Sequence, residues 1–454
     1  MKGLVKASVV NSSIHGTSYS YIAVQAAYLA TYFPSVYWNT AYLRVTSGLD
    51  EDDSTVYTKV SKAIGDVQHH NIKVKPVDIN KSGYMFEPEE ETNSIYYGLK
   101  SLTGVGGEAI AEITEKRPYK SIEDFEKRVE SSNRTMIIAL IKAGAFDQFG
   151  ERKKLMECYI QKISNPKKRL TLQNFKGLMD ANMIPKELDF QRRLFVFNRA
   201  LKANKKVDDY YIINYNYYDF YEKFFDLDLL EPLEGTTAIP QKVWQKLYTK
   251  GMEPAKKYFQ EHQQELLDEY NNILFQEQWD RYASGTYSTW EMASLGYYYH
   301  EHELANINYD MYGIRAYQDL PTEPPIEYNI SRNGRTYPIF QTCRIIGTVI
   351  GKNNTKATID VLTRESGVVT IKFNLDFFAL YNRRISEIVN GETKVVEQGW
   401  FQRGTLIMVN GYRNHDVFRA KTYKRTPSSQ LYKITNIEGQ AIKFTDKRYG
   451  EEEL

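Results

Sequence analysis

Alanines and aromatics recur at helical spacing from Ser18 to Leu43, in SYSYIAVQAAYLATYFPSVYWNTAYL, and the run is interrupted at Pro34. Proline removes a backbone donor and crowds the preceding turn, so the pattern predicts two helices meeting at Phe33-Pro34-Ser35. After the acidic stretch GLDEDDST, the segment TVYTKVSKAIGDVQHH predicts a further amphipathic helix, and NIKVKPVDINKSGYMF is short, turn-rich and β-leaning. A glycine cluster then precedes a helix, Ser121 to Val129 follows, and NRTMIIALIKAGAFDQFG predicts an apolar helix stopped by Gly144.

From about Glu151 to Tyr328 the chain is charged, aromatic and helix-rich, with basic clusters NPKKR and KANKK, and predicts a connector. Beyond Pro324-Pro325 the period changes to strand-like alternation in TCRIIGTVIG, ATIDVLT, VVTIKFN and GTLIMVNGYR, each bounded by Gly, Asn or Asp. That series predicts a separate small β-barrel.

Composition bounds the picture. The chain has 454 residues, 42% of them hydrophobic and 26% charged, which is globular composition with length for about three domains. No apolar run reaches the roughly 20 residues of a membrane span, and the apolar part of MKGLVKASVVNSS is too short for a signal peptide. With only Cys158 and Cys343 present, a reducing cytoplasm is expected. A net charge of +2 excludes a global basic field, so nucleic acid would have to be met by local patches. The 36 tyrosines and 21 phenylalanines can serve as core or as stacking platforms for bases.

The glycines lie in YYGLKSLTGVGGEAIAEITEK, Tyr96 to Lys116. No Gly-Lys-Ser/Thr follows, which excludes a P-loop, and the dinucleotide fingerprint with its acidic partner is absent. The form h-x-G-h-G suits a helix-hairpin-helix bend: Leu102 and Val105 pin the turn while amides around Gly104 and Gly106 face an anion. Lys100, Thr103, Gly104, Val105, Gly106 and Gly107 are therefore candidate phosphate contacts. Such a grip is blind to base sequence, because backbone amides carry none of it. A glycine C-cap between two packed helices remains the other reading.

Taken in order, SIHGTSYSYIAVQAAYLATYFP, VKPVDINKSG, YYGLKSLTGVGGEAIAEI, YKSIEDFEKRV, NRTMIIALIKAGAFDQFG and SLGYYYHEHELANI resemble the replicative DNA polymerase III alpha subunit of bacteria and phages, a C-family polymerase. The resemblance covers the first 150 residues almost continuously, recurs at Leu295 to Leu304 and includes the terminal β domain. It implies an α+β multidomain chain equivalent to that family's C-terminal half: a fingers-like helical region at 1–92, a helix-hairpin-helix module at 93–150, a helical connector at 151–328 and an OB-fold barrel at 329–454. It also implies that His15, Tyr19 and Gln25 line the incoming-nucleotide side. Where the family writes Asn-Lys-Ser-His, this chain has Ser12-Ser13-Ile14-His15, without the lysine that meets triphosphate; a helix-start histidine bonded to its own backbone is the alternative for His15.

Nucleotidyl transfer requires clustered carboxylates around two magnesium ions. The family carries them in a palm N-terminal to the fingers, and neither that palm nor the family's metal-binding N-terminal domain is matched here. Asp226-Leu227-Asp228 reads as a helix or loop face, and neither His69-His70 nor His300-Glu301-His302 has zinc spacing. The expectation is part of a DNA-directed DNA polymerase that is inactive alone. It has no cofactor of its own, with Mg2+ on a palm-bearing partner polypeptide, as in a split polymerase; a truncated remnant reads the same way.

Gln191-Arg192-Arg193-Leu194-Phe195 resembles the family's sliding-clamp peptide, with Gln191, Leu194 and Phe195 as contacts, although LDFQRRLFVFNRALK also reads as an amphipathic helix. In the barrel, Arg344, Lys352, Lys356, Lys372, Phe373 and Arg413 are candidates for a single strand, with ISEIVNGETKVVEQGWFQ as a long insertion. The partners implied are template-primer duplex, single-stranded DNA, the palm-bearing polypeptide and a sliding clamp, in a bacterial or phage-infected cytoplasm and away from membrane. A stand-alone DNA-binding or clamp-tethering factor without polymerase activity is the alternative.

Overall fold

The computed structural model describes residues 2–46, 57–203, 206–233, 235–365, 367–389, 392–423 and 428–450. Two compact units emerge: Met1–Met156 together with Gly285–Leu454, and Glu157–Ser284.

The first unit opens with α1 (Lys2–Tyr32) and α2 (Ser35–Thr46), separated at Pro34 as the proline requires. From Thr17 onward every side chain of α1 except that of Ala26 is exposed, whereas α2 buries Val36, Asn39, Thr40 and Leu43. The amphipathic α3 (Tyr57–His69) buries Val60, Ala63, Ile64 and Val67 at helical spacing. The β-leaning segment becomes a strand, Lys73–Lys75, parallel to Ser94–Tyr96, which in turn pairs antiparallel with Glu87–Glu89.

Three short helices follow: α4 (Gly107–Glu115), α5 (Ile122–Arg128) and α6 (Arg134–Lys142). Ser121 caps α5 by accepting from the Asp124 N–H, and Asn133 caps α6 by accepting from the Met136 N–H. Ile110, Ile113, Phe125, Ile137 and Leu140 are buried, each from the apolar side of its helix.

The barrel has five closing strands: β1 (Cys343–Asn353), β2 (Thr358–Leu362), β3 (Val368–Lys372), β4 (Leu406–Asn414) and β5 (Val417–Ala420). Their order β1-β2-β3-β5-β4 returns to β1 through a β1–β4 pairing, and β3–β5 is the parallel pair. Parallel neighbours need a crossover, and the helix Leu375–Asn382 lies within it. This closed five-strand ring with a helix after the third strand is the OB arrangement. Two further strands, Leu431–Glu438 and Ala441–Thr445, extend the sheet from β4. The insertion anticipated as a long excursion is an antiparallel hairpin, Ile385–Val389 with Glu392–Glu397, followed by the fully buried Trp400.

The second unit is narrower than the expected connector. Residues 285–328 fold with the first unit instead, where the Tyr97 hydroxyl donates to the Leu295 carbonyl at 2.6 Å. Around Trp244, helices such as Asp189–Ala203 and Gln241–Gly251 pack with a four-stranded sheet containing Tyr210–Ile212 and Thr236–Pro240. Among the described residues, no helix is long and apolar enough to cross a membrane.

Candidate nucleic-acid interface

The bend before α4 lies on the surface. Thr103, Gly104, Gly106 and Gly107 are exposed, Val105 is half-buried, and Leu102 is inserted into the core as the pin. Gly104 has φ +87°, a left-handed conformation that costs an L-residue about 1 kcal/mol or more. Gly106 is the N-cap of α4 with an extended backbone and no side-chain cap, and a β-carbon built there meets nothing within 4 Å. The first N–H groups of a helix have no intrahelical acceptor. Here they adjoin a residue with no side chain in the way, at the positive end of the helix dipole, which is a geometry suited to a phosphate oxygen.

Neighbouring elements fix the bend. The Thr103 N–H donates to the Ser294 carbonyl at 3.1 Å, and Arg403 Nη2 donates to Thr103 Oγ1 at 2.8 Å and to the Ala293 carbonyl. The α5–α6 loop is held by Glu112, whose carboxylate accepts from the Glu130 N–H at 2.7 Å and the Ser131 N–H at 3.0 Å. Hydrogen bonds from Lys116 and Ser131 hold the Glu112 carboxyl down at about 2. Lys100 lies over the Tyr84 ring at 5.5 Å, and Arg134 is exposed at the start of α6.

The second glycine turn, at Gly144, is closed. A side chain there would meet the Arg152 guanidinium, which bridges Asp147 Oδ2 at 2.6 Å and Glu291 Oε1 at 2.8 Å. Glu291 is buried and also accepts from the Tyr299 and His300 N–H groups, both at 2.9 Å. Of the two bends, only that at Gly104–Gly107 is open to a ligand.

Tyr19 and Gln25 are exposed on α1, Tyr19 at 70%, and the His15 side chain lies outside the described residues. On the barrel the anticipated residues divide. Phe373 is 4% exposed, packed against Phe377 and Phe401, and leaves almost no ring face for a base. Arg344 donates to the Tyr312 carbonyl at 3.0 Å, and Arg413 to the Leu320 and His415 carbonyls at 2.9 Å, so both guanidinium groups serve the fold. Lys352 reaches Asn382 Oδ1 at 2.8 Å, while Lys356 and Lys372 are exposed. Lys372 is the Cα partner of Arg419, and Arg419 of Tyr412, which sets the three in one row across β3, β5 and β4. They line an open groove of about 630 Å³ with Lys421, Phe377 and Asp376. Tyr412, Arg419 and Lys421 were not singled out from sequence, although GYRNHDVFRAK carries the alternation that aligns them.

The clamp-like peptide forms part of a helix core. Leu194 is 0% exposed, Gln191 Nε2 donates to the Gly251 carbonyl at 3.1 Å, and Phe195 packs on Phe175 with centroids 5.1 Å apart. Offering these residues to a clamp would require the helix to leave its own core. Asp226 caps the short helix Leu227–Leu229 by accepting from the Asp228 N–H at 3.0 Å. Among the described residues, no three His, Cys, Asp or Glu side chains are grouped as a metal site would need.

Comparison with known proteins follows the same lines. Residues 71–156 match the helix-hairpin-helix motif family. The chain is 37% identical over 435 residues to the probable DNA polymerase YorL of Bacillus subtilis (strain 168), and equally to the DNA-directed DNA polymerase of Bacillus phage SPbeta. In both comparisons, 91% of this chain aligns with 33% of the relative. The DNA polymerase III subunit alpha of Thermus aquaticus is 33% identical over 148 residues, 31% of this chain and 11% of that protein. The resemblance to the replicative polymerase III alpha family holds, and the chain spans about a third of the length of its first relatives.

Proposed function

We propose that this chain is the DNA-holding portion of a C-family replicative polymerase. The exposed, uncapped helix N-terminus at Gly104–Gly107 carries the reading: it suits a sugar-phosphate backbone and contains nothing that reads a base. Duplex is held at the bend. Single strand lies in the Lys372, Arg419 and Tyr412 row, where two basic side chains adjoin an aromatic one.

Nucleotidyl transfer is assigned to carboxylates and Mg2+ on a palm-bearing polypeptide outside these 454 residues. Two observations support that assignment. The Bacillus subtilis and phage SPbeta relatives are about three times as long as the part that aligns, and α1 presents Tyr21, Ile22, Val24, Tyr28 and Leu29 to solvent. An exposed apolar surface of this kind ordinarily marks a contact with another polypeptide. The setting is a bacterial or phage-infected cytoplasm.

The experiment is primer extension with Mg2+ and all four nucleotides, with the 454-residue chain alone and with a palm-bearing polypeptide added. The expected result is no synthesis alone and processive synthesis with both. Robust synthesis by this chain alone, or a palm-bearing polypeptide that neither binds it nor is stimulated by it, overturns the reading.

A further inference from the structure

Just ahead of the barrel, two strands form a ribbon, Ile326–Arg332 and Arg335–Phe340, joined at Asn333-Gly334. Both turn residues have positive φ, 51° and 72°, as a two-residue hairpin turn of this hand demands. Every residue of the first strand is exposed, and in the second only Ile339 and Phe340 are not. Two strands alone are marginal in water, so a ribbon this bare is suited to work on something outside the fold.

Its two faces differ. The register pairs Tyr328 with Ile339, Ile330 with Tyr337 and Arg332 with Arg335, which puts the three pairs on one face; Asn329, Ser331 and Thr336 take the other. Tyr328 and Tyr337 are 40% and 45% exposed. At the tip, two like charges stand directly opposite one another, and among the described residues neither arginine has an ion-pair partner. That arrangement is unfavourable by itself and is relieved by an anion between the guanidinium groups. At its base, Phe340 packs at a tilt against Tyr412 with centroids 4.9 Å apart, and its N–H donates to the Tyr423 hydroxyl at 3.1 Å. The ribbon therefore starts from the groove that holds Lys372 and Arg419.

We propose that the Ile326–Phe340 ribbon is a clamping arm for single-stranded nucleic acid, with phosphate between Arg332 and Arg335 and bases against Tyr328 and Tyr337. This rests on the DNA-holding reading above and adds a contact outside both the barrel and the hairpin bend. The occupant is a polynucleotide strand, because the unpaired cationic tip complements a phosphate and the aromatic pair behind it offers ring faces for bases.

The test measures affinity by fluorescence anisotropy for a labelled 20-mer of thymidine and for a 20-base-pair duplex, over a salt series, with the full chain. Arg332→Ala/Arg335→Ala is expected to weaken 20-mer binding about ten-fold at low salt and to reduce the salt slope by roughly 0.7, the value for one phosphate on a single strand. Tyr328→Ala/Tyr337→Ala is expected to weaken it about thirty-fold or more with the slope unchanged. Duplex binding should change less than about two-fold for both. Because the ribbon has no core, unfolding temperatures should match the parent. Wild-type affinity for the 20-mer in both variants overturns the arm, as does loss of palm-polypeptide binding with 20-mer affinity intact. A parent chain that binds neither 20-mer nor duplex overturns the DNA-holding reading itself.

Discussion

Arg403, from the segment entering β4, donates through Nη2 to Thr103 Oγ1 at 2.8 Å, so one guanidinium joins the barrel to the hairpin bend. The same nitrogen donates to the Ala293 carbonyl, tying in the helix Tyr287–Leu295. Arg403→Ala should destabilise the first unit by on the order of 1 kcal/mol and lower duplex affinity about five-fold. Arg403→Lys should recover only part of it, lacking the planar fork. Urea unfolding and a duplex titration check both; wild-type values for Arg403→Ala would show that the link is idle.

Leu194 is enclosed within the Trp244-centred core, so its loss should be felt as stability. Leu194→Ala is expected to destabilise the 157–284 unit by about 2–5 kcal/mol, the range for a buried leucine cut to alanine. Thermal unfolding followed by tryptophan fluorescence reads this through Trp244. An unchanged melt together with lost clamp binding would restore the peptide to the surface.

The sequence was most legible where one physical constraint dominates. Pro34 divides α1 from α2, and the left-handed Gly104 stands where the h-x-G-h-G pattern puts it. The strands of the barrel follow from alternation. Alternation gives two faces without naming the core, which is why Phe373 reads as a platform and is a core ring. Long arginines also turn back on the fold: Arg344 and Arg413 reach carbonyls of residues 312 and 320, distant partners that no local pattern reveals. The sheet in the second unit is made of strands of two to five residues, too short for a period to register.

His302 couples stability to pH. Burial pushes its imidazole down to about 4, with Nε2 near the Leu362 carbonyl at 3.2 Å and Nδ1 accepting from the Leu304 N–H at 3.0 Å. The unfolded chain binds a proton near pH 6.5 that the folded chain refuses, so stability is full above that pH and falls as pH drops toward 4. The loss is on the order of 3 kcal/mol over that window. Burial raises the Glu303 carboxyl and acts in the opposite sense, favouring the fold as pH falls. His302→Gln should therefore lose less stability than the parent between pH 7 and 4.5. Parallel curves for the two proteins in urea unfolding would refute the assignment.

The most direct measurement concerns Gly106, where a side chain fits the fold but stands in the path of a phosphate. Duplex affinity of Gly106→Val and the parent would be titrated against salt with several unrelated sequences. Expected are a stability loss of no more than about 1 kcal/mol, the cost of replacing a glycine N-cap, a loss of duplex affinity of about 10- to 100-fold for every sequence alike, and a shallower salt slope by about 0.9 per lost phosphate contact. Parent-like affinity and slope in Gly106→Val would contradict it.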